Sequence, residues 1–314
     1  MNGFIQKVQR CIQAHQLADP RTPIVVAASG GPDSTALVHA LHALRHPLTL
    51  VYVDHQTRPE TKQEGAFVHE LANALGAQFQ LKRVELESQS EASMRDARYQ
   101  ALDSVKGERV ATGHTASDQA ETVLMRLLRG TGTVGLSGIP PRRGRIIRPL
   151  IGLTRAEIMT FLKAINARFC TDPTNADLGP LRNRVRHELL PLLSTNYQTN
   201  ITDRLVEMAN SLRRDRNFLE NAAKDHIQTH GLNRKSLLQS HKDLRPHIVR
   251  AACPVSISAE RMHAIERMLD GAGGTVQLEG NVQVILSASN PNIEFLQIAP
   301  SNSSGELDGE PKES

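Results

Sequence analysis

Phe4, Ile5, Val8 and Ile12 recur at helical spacing and predict an opening amphipathic helix. Beyond Pro20 and Pro23, Ile24–Ala28 is continuously apolar, the pattern of a strand buried on both faces. The period then changes to that of a helix, with Leu37, Val38, Leu41 and Leu44 on one side. The alternation repeats. Leu48–Val53 predicts a second strand; Phe67, Leu71 and Leu75 predict a helix that Gly76 stops. Phe79–Val84 predicts a third strand, Ala92–Val105 a helix, and Arg109–Thr112 a fourth strand. Ala116–Arg129 reads as a helix closed by Gly130, and Ile146–Ile147 as a last short strand. Strands alternating with helices imply an α/β class with a doubly wound, mostly parallel sheet. Such a sheet binds ligands beyond the carboxyl ends of its strands. Three polar clusters fall there: Ser29–Ser34, Asp54-His55 and Gly113–Glu121.

Further on, Thr154-Arg155-Ala156-Glu157 is a capping box that opens a helix with Ile158, Phe161, Leu162 and Ile165 on one face. Residues 171–183 are polar and loop-like. Leu189–Leu193 and Ile201–Phe218 read as a helical linker. A smaller α+β module follows, with a helix at Ala259–Leu269 after Ser258. Its strands are expected at Thr275–Leu278, Val282–Leu286 and Ile293–Ile298, the first two joined through Glu279-Gly280-Asn281. The expected domains are 1–210 and 211–300, with an acidic, disordered tail over 301–314.

Composition narrows this picture. The 314 residues carry 37 Lys+Arg and 33 Asp+Glu, a net charge of +4. Without the last 14 residues the counts are 36 and 29, so the folded part is more basic than the whole and suits a polyanionic partner, as it suits many ordinary enzymes. Cys11, Cys170 and Cys253 are isolated, which excludes a disulfide framework and any CxxC pair. His226 and His230 lack a third metal ligand nearby, and Cys170 reads as a small buried residue. No run is long and apolar enough for a membrane span, and the N-terminus lacks a signal-peptide core, so a cytoplasmic protein is expected. Aromatic residues at 3% disfavour stacking along a run of bases.

The chemistry concentrates in two places. Ser29-Gly30-Gly31-Pro32-Asp33-Ser34, between a buried strand and a helix, has the make-up of a phosphate cradle. Glycines let successive N–H groups point inward, the helix start favours an anion, and Ser29 and Ser34 add hydroxyls. Asp33 would repel phosphate unless it holds a cation such as Mg2+. Asp118 and Glu121 lie three apart on one helix face after the fourth strand, facing the same crevice. Plain helix capping is the alternative for Asp118. Arg182 and Arg186 share a face at i, i+4, and their repulsion must be offset by Asp172, Asp177 or Glu188, or by phosphate.

The loop resembles the SGGxDS signature of the PP-loop ATP pyrophosphatases, of the adenine nucleotide alpha hydrolase-like fold. His114, Asp118-Gln119, Glu121-Thr122, and then Leu127, Arg129-Gly130 and Gly132 in a Leu-x-Arg-Gly-x-Gly pattern, are similar to the tRNA(Ile)-lysidine synthase family. So are Arg95, Arg98-Tyr99, Arg148-Pro149-Leu150, Asp172-Pro173-Thr174-Asn175 and Arg182-Asn183 with Arg186. Ser117 stands where that family usually has a first Asp. The resemblance covers about residues 20–195 and implies a ligase using ATP and Mg2+. Its partners would be L-lysine and an isoleucine tRNA with a CAU anticodon, whose wobble cytidine becomes lysidine.

The same resemblance implies site roles. Ser29, Gly30, Gly31, Pro32, Asp33, Ser34 and His114 would bind the nucleotide. Asp33 and Asp118 would hold the metal. Arg95 or Arg98 would stabilise the adenylated intermediate, and Asp118 or Glu121 would position and deprotonate the lysine amine. Arg182, Asn183 and Arg186 would meet tRNA or phosphate. Paired cysteines, needed by a thiolating relative, are missing, and a non-catalytic tRNA-binding protein is the other alternative. A C-terminal tRNA-binding domain is expected, and the oligomeric state stays open between monomer and homodimer.

Overall fold

A computed structural model describes residues 2–54, 61–84, 91–171, 179–271, 273–287 and 292–297. The chain divides into two units, Met1–Arg213 and Arg214–Ser314. Asp172, Asn175, Asp177, His55 and the tail 301–314 lie outside the described residues.

The first unit begins with α1 (Asn2–Ala14), β1 (Ile24–Ala27), α2 (Pro32–Ala43) and β2 (Leu48–Asp54). Then come α3 (Thr61–Ala74), β3 (Gln78–Arg83), α4 (Glu91–Asp103), β4 (Arg109–Ala111) and α5 (Ala116–Arg129). The short α6 (Thr133–Leu136) leads to β5 (Arg142–Arg143) and β6 (Ile146–Ile147), then α7 (Arg155–Ala164). The six-stranded sheet has the order β3-β2-β1-β4-β6-β5. Every pairing is parallel except β5 with β6. This confirms the mostly parallel sheet and adds an antiparallel edge strand that two arginines do not announce in sequence. The chain leaves β1 toward β2 and β3 on one side and returns to β4 on the other. The switch point is therefore between β1 and β4, and both key loops emerge there.

Alternation along β1 explains the layers. Ile24 and Val26 face one core with Val8 of α1, Leu37 and Leu41 of α2, and Phe161 and Leu162 of α7. Val25 faces the other way and packs with Val51, Val110, Leu102 and Val105. Phe4 and Phe161 stack with ring centroids 4.2 Å apart. Gly76, at φ +64°, ends the turn after α3 as expected. The capping box at Thr154 forms as written: Thr154 Oγ1 accepts from Glu157 N, and Glu157 Oε2 accepts from Thr154 N at 2.8 Å.

After α8 (Leu181–Arg184) the helix widens into one π turn, Val185–Leu189, before α9 (Leu190–Asn196). Helix α10 runs from Ile201 to His230. It is twelve residues longer than its apolar pattern suggests, because residues 219–230 offer few apolar positions, with Leu219, Ala222, Ala223 and Ile227 set among polar ones. The boundary between the units falls inside it.

In the second unit, α11 (Arg234–Gln239) and α12 (Arg245–Ala252) occupy a segment whose apolar pattern was too short to read. Asn233 caps α11 by accepting from Ser236 N at 2.9 Å. Helix α13 (Ala259–Asp270) starts on Ser258, whose hydroxyl accepts from Arg261 N. It packs beside an antiparallel sheet ordered β7 (Gly274–Gln277), β8 (Val282–Leu286), β9 (Glu294–Gln297). Gly280 and Asn281 both have positive φ, +65° and +57°, and so reverse the chain between β7 and β8. Val276, Val282, Val284 and Leu286 meet Ile248, Ile265 and Leu269 in an apolar core.

Candidate functional site

The glycine loop is pinned by its own side chains. Gly30 adopts φ +81°, closed to most residues. Ser34 Oγ donates to Gly31 O at 3.0 Å, Thr35 Oγ1 donates to Gly30 O at 3.2 Å, and the Ser29 and Ser34 hydroxyls lie 3.3 Å apart. Gly31 is the N-cap of α2 with Pro32 just inside, so the first turn of that helix opens onto the loop. Cys170 N donates to Gly30 O at 2.9 Å. A side chain at Gly30 would come within 3.2 Å of both Cys170 Sγ and Phe67 Cδ1. Cys170 therefore packs against the loop, a role that one isolated cysteine in the sequence did not reveal.

The β4–α5 loop crosses close to this cradle. A Cβ on Gly113 would lie 3.2 Å from Asp33 C and Ser34 N, so any side chain there would crowd the backbone of the cradle. The two clusters singled out in sequence thus meet. Asp33 Oδ2 lies 3.6 Å from Arg155 Nη1, a partner the sequence did not suggest, while Asp33 Oδ1 is buried without a hydrogen-bond partner. Burial pushes the Asp33 carboxyl up to about 6, although Arg155 pulls it down. His114 Nδ1 lies 2.8 Å from Thr112 Oγ1. Burial lowers His114 to about 4, against the pull of Asp118, so its imidazole is neutral at pH 7.

Asp118 and Glu121 are where the expectations change most. Asp118 Oδ2 accepts from Thr115 N and Thr115 Oγ1 at 2.8 and 2.9 Å, and its Oδ1 accepts from Arg182 Nη2 at 2.6 Å. Burial opposes ionisation of Asp118, but His114, Arg182 and the two Thr115 hydrogen bonds hold it below the usual carboxylate range. Asp118 thus caps the start of α5 and anchors Arg182. Glu121 is fully buried. Its Oε1 accepts from Arg186 Nε at 2.6 Å, and its Oε2 accepts from Arg182 Nε at 2.8 Å and Arg186 Nη2 at 3.1 Å. Glu121 thus accepts three hydrogen bonds from two arginines and anchors both.

The same geometry answers how Arg182 and Arg186 share a face. Asp118 and Glu121, some sixty residues earlier, offset their repulsion; Glu188 instead pairs with Arg184, at 3.7 Å. The two arginine side chains remain 28% and 33% exposed, so part of each fork still faces outward. Asn183 is partly buried beside them.

Arg95 and Arg98 lie on the exposed side of α4. Arg95 sits 5.7 Å over the Tyr99 ring. Arg98 is near enough to His114 to disfavour its protonation. Arg148, at the carboxyl end of β6, is buried and donates to Pro140 O at 2.8 Å. Arg142 and Arg145 are elsewhere: they donate to Gln16 O, and to Val105 O and Gly107 O, at the opposite end of the sheet. Of the arginines at 142, 145 and 148, Arg148 is therefore the one at the crevice end of the sheet.

Asp33 is a fitting ligand for Mg2+, because its buried Oδ1 has no partner. Among the described residues no cluster of three His, Cys, Asp or Glu could hold a metal. A magnesium ion beside Asp33 would therefore take its other ligands from phosphate and water, as this ion commonly does.

A glycine cradle and a buried aspartate at the switch point of a parallel sheet define a PP-loop protein, and a family model described as PP-loop domain matches residues 4–193. A tRNA(Ile)-lysidine synthase from Symbiobacterium thermophilum is 38% identical over 235 residues, 69% of this chain and 49% of that protein. One from Clostridioides difficile is 34% identical over 70% of this chain and 51% of its own length. One from Gloeobacter violaceus is 33% identical over 294 residues, 88% of this chain and 86% of that protein. The chain belongs to the tRNA(Ile)-lysidine synthase family, and it spans about half the length of the first two relatives. The solved structure of a U34-tRNA thiolase from Methanococcus maripaludis shares the fold, with a TM-score of 0.55 at 15% identity over 68% of this chain and 80% of that one.

Proposed function

We propose that this protein joins L-lysine to the wobble cytidine of an isoleucine tRNA with a CAU anticodon, at the expense of ATP. The supporting observation is the meeting of the Ser29–Ser34 cradle with the start of α5 at the β1/β4 switch point, in a chain of this family. The cytosine C2 oxygen is a poor leaving group until it carries AMP. Backbone N–H groups of the cradle hold the pyrophosphate portion of ATP, and the C2 oxygen attacks the α-phosphorus with release of pyrophosphate. The lysine ε-amine then attacks C2, loses its protons, and AMP departs with the former carbonyl oxygen.

Asp33 is the residue that would hold Mg2+, which neutralises charge developing on the phosphates. Asp118 and Glu121 act as positioning residues, fixing Arg182 and Arg186 where their exposed faces meet phosphate. Arg98 lies near enough to the crevice to stabilise the adenylate, while neutral His114 contributes a hydrogen bond rather than charge. No helix among the described residues is long and apolar enough to cross a membrane, and the reaction belongs to the cytoplasm, where tRNA is found.

Two observations bear against a thiolating reaction: the three cysteines are separate and free, and each is half-buried. The test is product analysis. ATP should yield AMP and pyrophosphate only when both the CAU tRNA and lysine are supplied for turnover. Formation of ADP and phosphate, or turnover without lysine, would overturn the proposal.

A further inference from the structure

We infer that the exposed segment Leu127–Val134, at the far end of α5, is a docking surface for the RNA strand flanking the reacting nucleotide; this rests on the function proposed above. All eight residues are exposed. Leu127, Leu128 and Val134 are 53%, 60% and 50% exposed, so the segment presents apolar side chains to solvent. Its base is rigid: Arg126 Nη1 donates to Gly135 O at 2.8 Å and to Gly138 O at 3.1 Å. Gln119 makes paired bonds to Ile139, receiving from its N–H and donating to its carbonyl. A braced, solvent-facing apolar tip is a preformed contact and not a frayed helix end.

Charge names the occupant. From 122 to 156 the chain has seven arginines and no Asp, Glu or Lys, and of these Arg126 and Arg129 belong to the tip and its base. Arg126 donates to backbone carbonyls, which leave its charge uncancelled. Arg129, in the middle of the tip, is exposed and makes no ion pair among the described residues. The positive excess also lies in this unit: residues 1–213 hold 26 Lys+Arg against 20 Asp+Glu, whereas residues 214–300 hold ten against nine. An apolar tip that carries Arg126 and Arg129 and no acid fits a polyanion with exposed apolar faces, which describes unstacked RNA. Leucine side chains can wedge against bases while arginine meets phosphate.

Continuity with the site sets the register. Ten residues of helix separate Asp118 from Leu128, about 15 Å of axis. That spans roughly two or three nucleotides of extended strand. With a base at the start of α5, the tip meets neighbours of that base and not the base itself.

The test uses the full chain. Steady-state turnover with CAU tRNA, and binding of a fluorescent CAU anticodon stem-loop at several salt concentrations, are measured for the wild type, L127S/L128S and R129A. We expect L127S/L128S to raise KM for tRNA about tenfold with kcat within twofold. R129A should weaken hairpin binding and reduce the salt slope by about one. Unchanged KM and salt slope in both variants would overturn the inference. So would a wild-type dimer, seen by sedimentation, that L127S/L128S dissociates, since the tip would then belong to a second copy. If the wild type binds the hairpin through this tip yet makes no lysidine, the function fails and the docking surface stands.

Discussion

The two units bury very different things. Among the described residues, the N-terminal unit encloses Glu121, Asp54, Arg148, Gln119 and His46 along with several hydroxyls, while the C-terminal unit has Ser236 as its one buried polar residue. A buried polar group costs stability unless it is paired, so a protein retains several only where they serve positioning or chemistry. The C-terminal unit is held by a plain apolar core of valine, leucine, isoleucine and methionine, and its charge is nearly balanced. The contrast gathers the buried polar groups and the excess of positive charge in the first unit, where the proposed chemistry lies.

The strongest test of this division is Asp33→Ala. ATP/pyrophosphate exchange with tRNA present should fall about 10²- to 10³-fold, the usual effect of removing one preorganised electrostatic group. Retained exchange would take Asp33 out of the mechanism. Next in size is Glu121→Ala, which leaves two arginine forks partly unpaired beside a buried helix. Removing one partner of such a cluster costs about 3–5 kcal/mol, read as a lower denaturant midpoint. A change under 1 kcal/mol would mean that Arg182 and Arg186 repair themselves with solvent. Ile265→Ala in the other unit opens a cavity in an apolar core and should cost about 2–4 kcal/mol in that unit's transition. Pyrophosphate exchange at low temperature should survive it, and its loss would erase the division of labour.

A subtler comparison uses pH. The folded Asp33 carboxyl titrates near 6, above its ordinary value of 3.8, so the fold favours its protonated form. Its contribution to stability is full below pH 4 and is lost as pH rises through 6. Asp33→Asn should therefore gain stability over the wild type between pH 4 and 6 and hold that gain to pH 8. Adding Mg2+ at pH 8 should stabilise the wild type and leave Asp33→Asn unmoved; equal stabilisation of both would locate the cation elsewhere. The smallest effect expected is for Gly280→Ala, where φ is +65° and a side chain costs about 1 kcal/mol.

Much of this was legible in the order of residues. Wherever strand and helix signals were local, as in Ile24–Ser34, Arg109–Glu121 and Thr154–Ile165, the structure follows them closely. The site's first contact, between the cradle and Gly113, follows from sheet topology, which alternation already implied. What stayed hidden depends on partners far apart in the chain. Edge strand β5 is two arginines that become a strand only by pairing with Ile146 and Ile147. Glu121 looks like an available base until Arg182 and Arg186, more than sixty residues on, are brought against it. Arg155 reads as part of a helix start, yet it is also the cation facing Asp33. The spacing along one helix shows which side chains share a face, but not what covers that face.

The central claim is that the crevice between β1 and β4 drives a joining reaction and not mere binding. Intact-mass analysis of a CAU-anticodon tRNA incubated with the protein, ATP and lysine tests it directly. The account predicts a gain equal to one lysine less one water, located on the wobble cytidine and absent when Asp33→Ala replaces the wild type. An unchanged tRNA mass with ATP and lysine both present would contradict it.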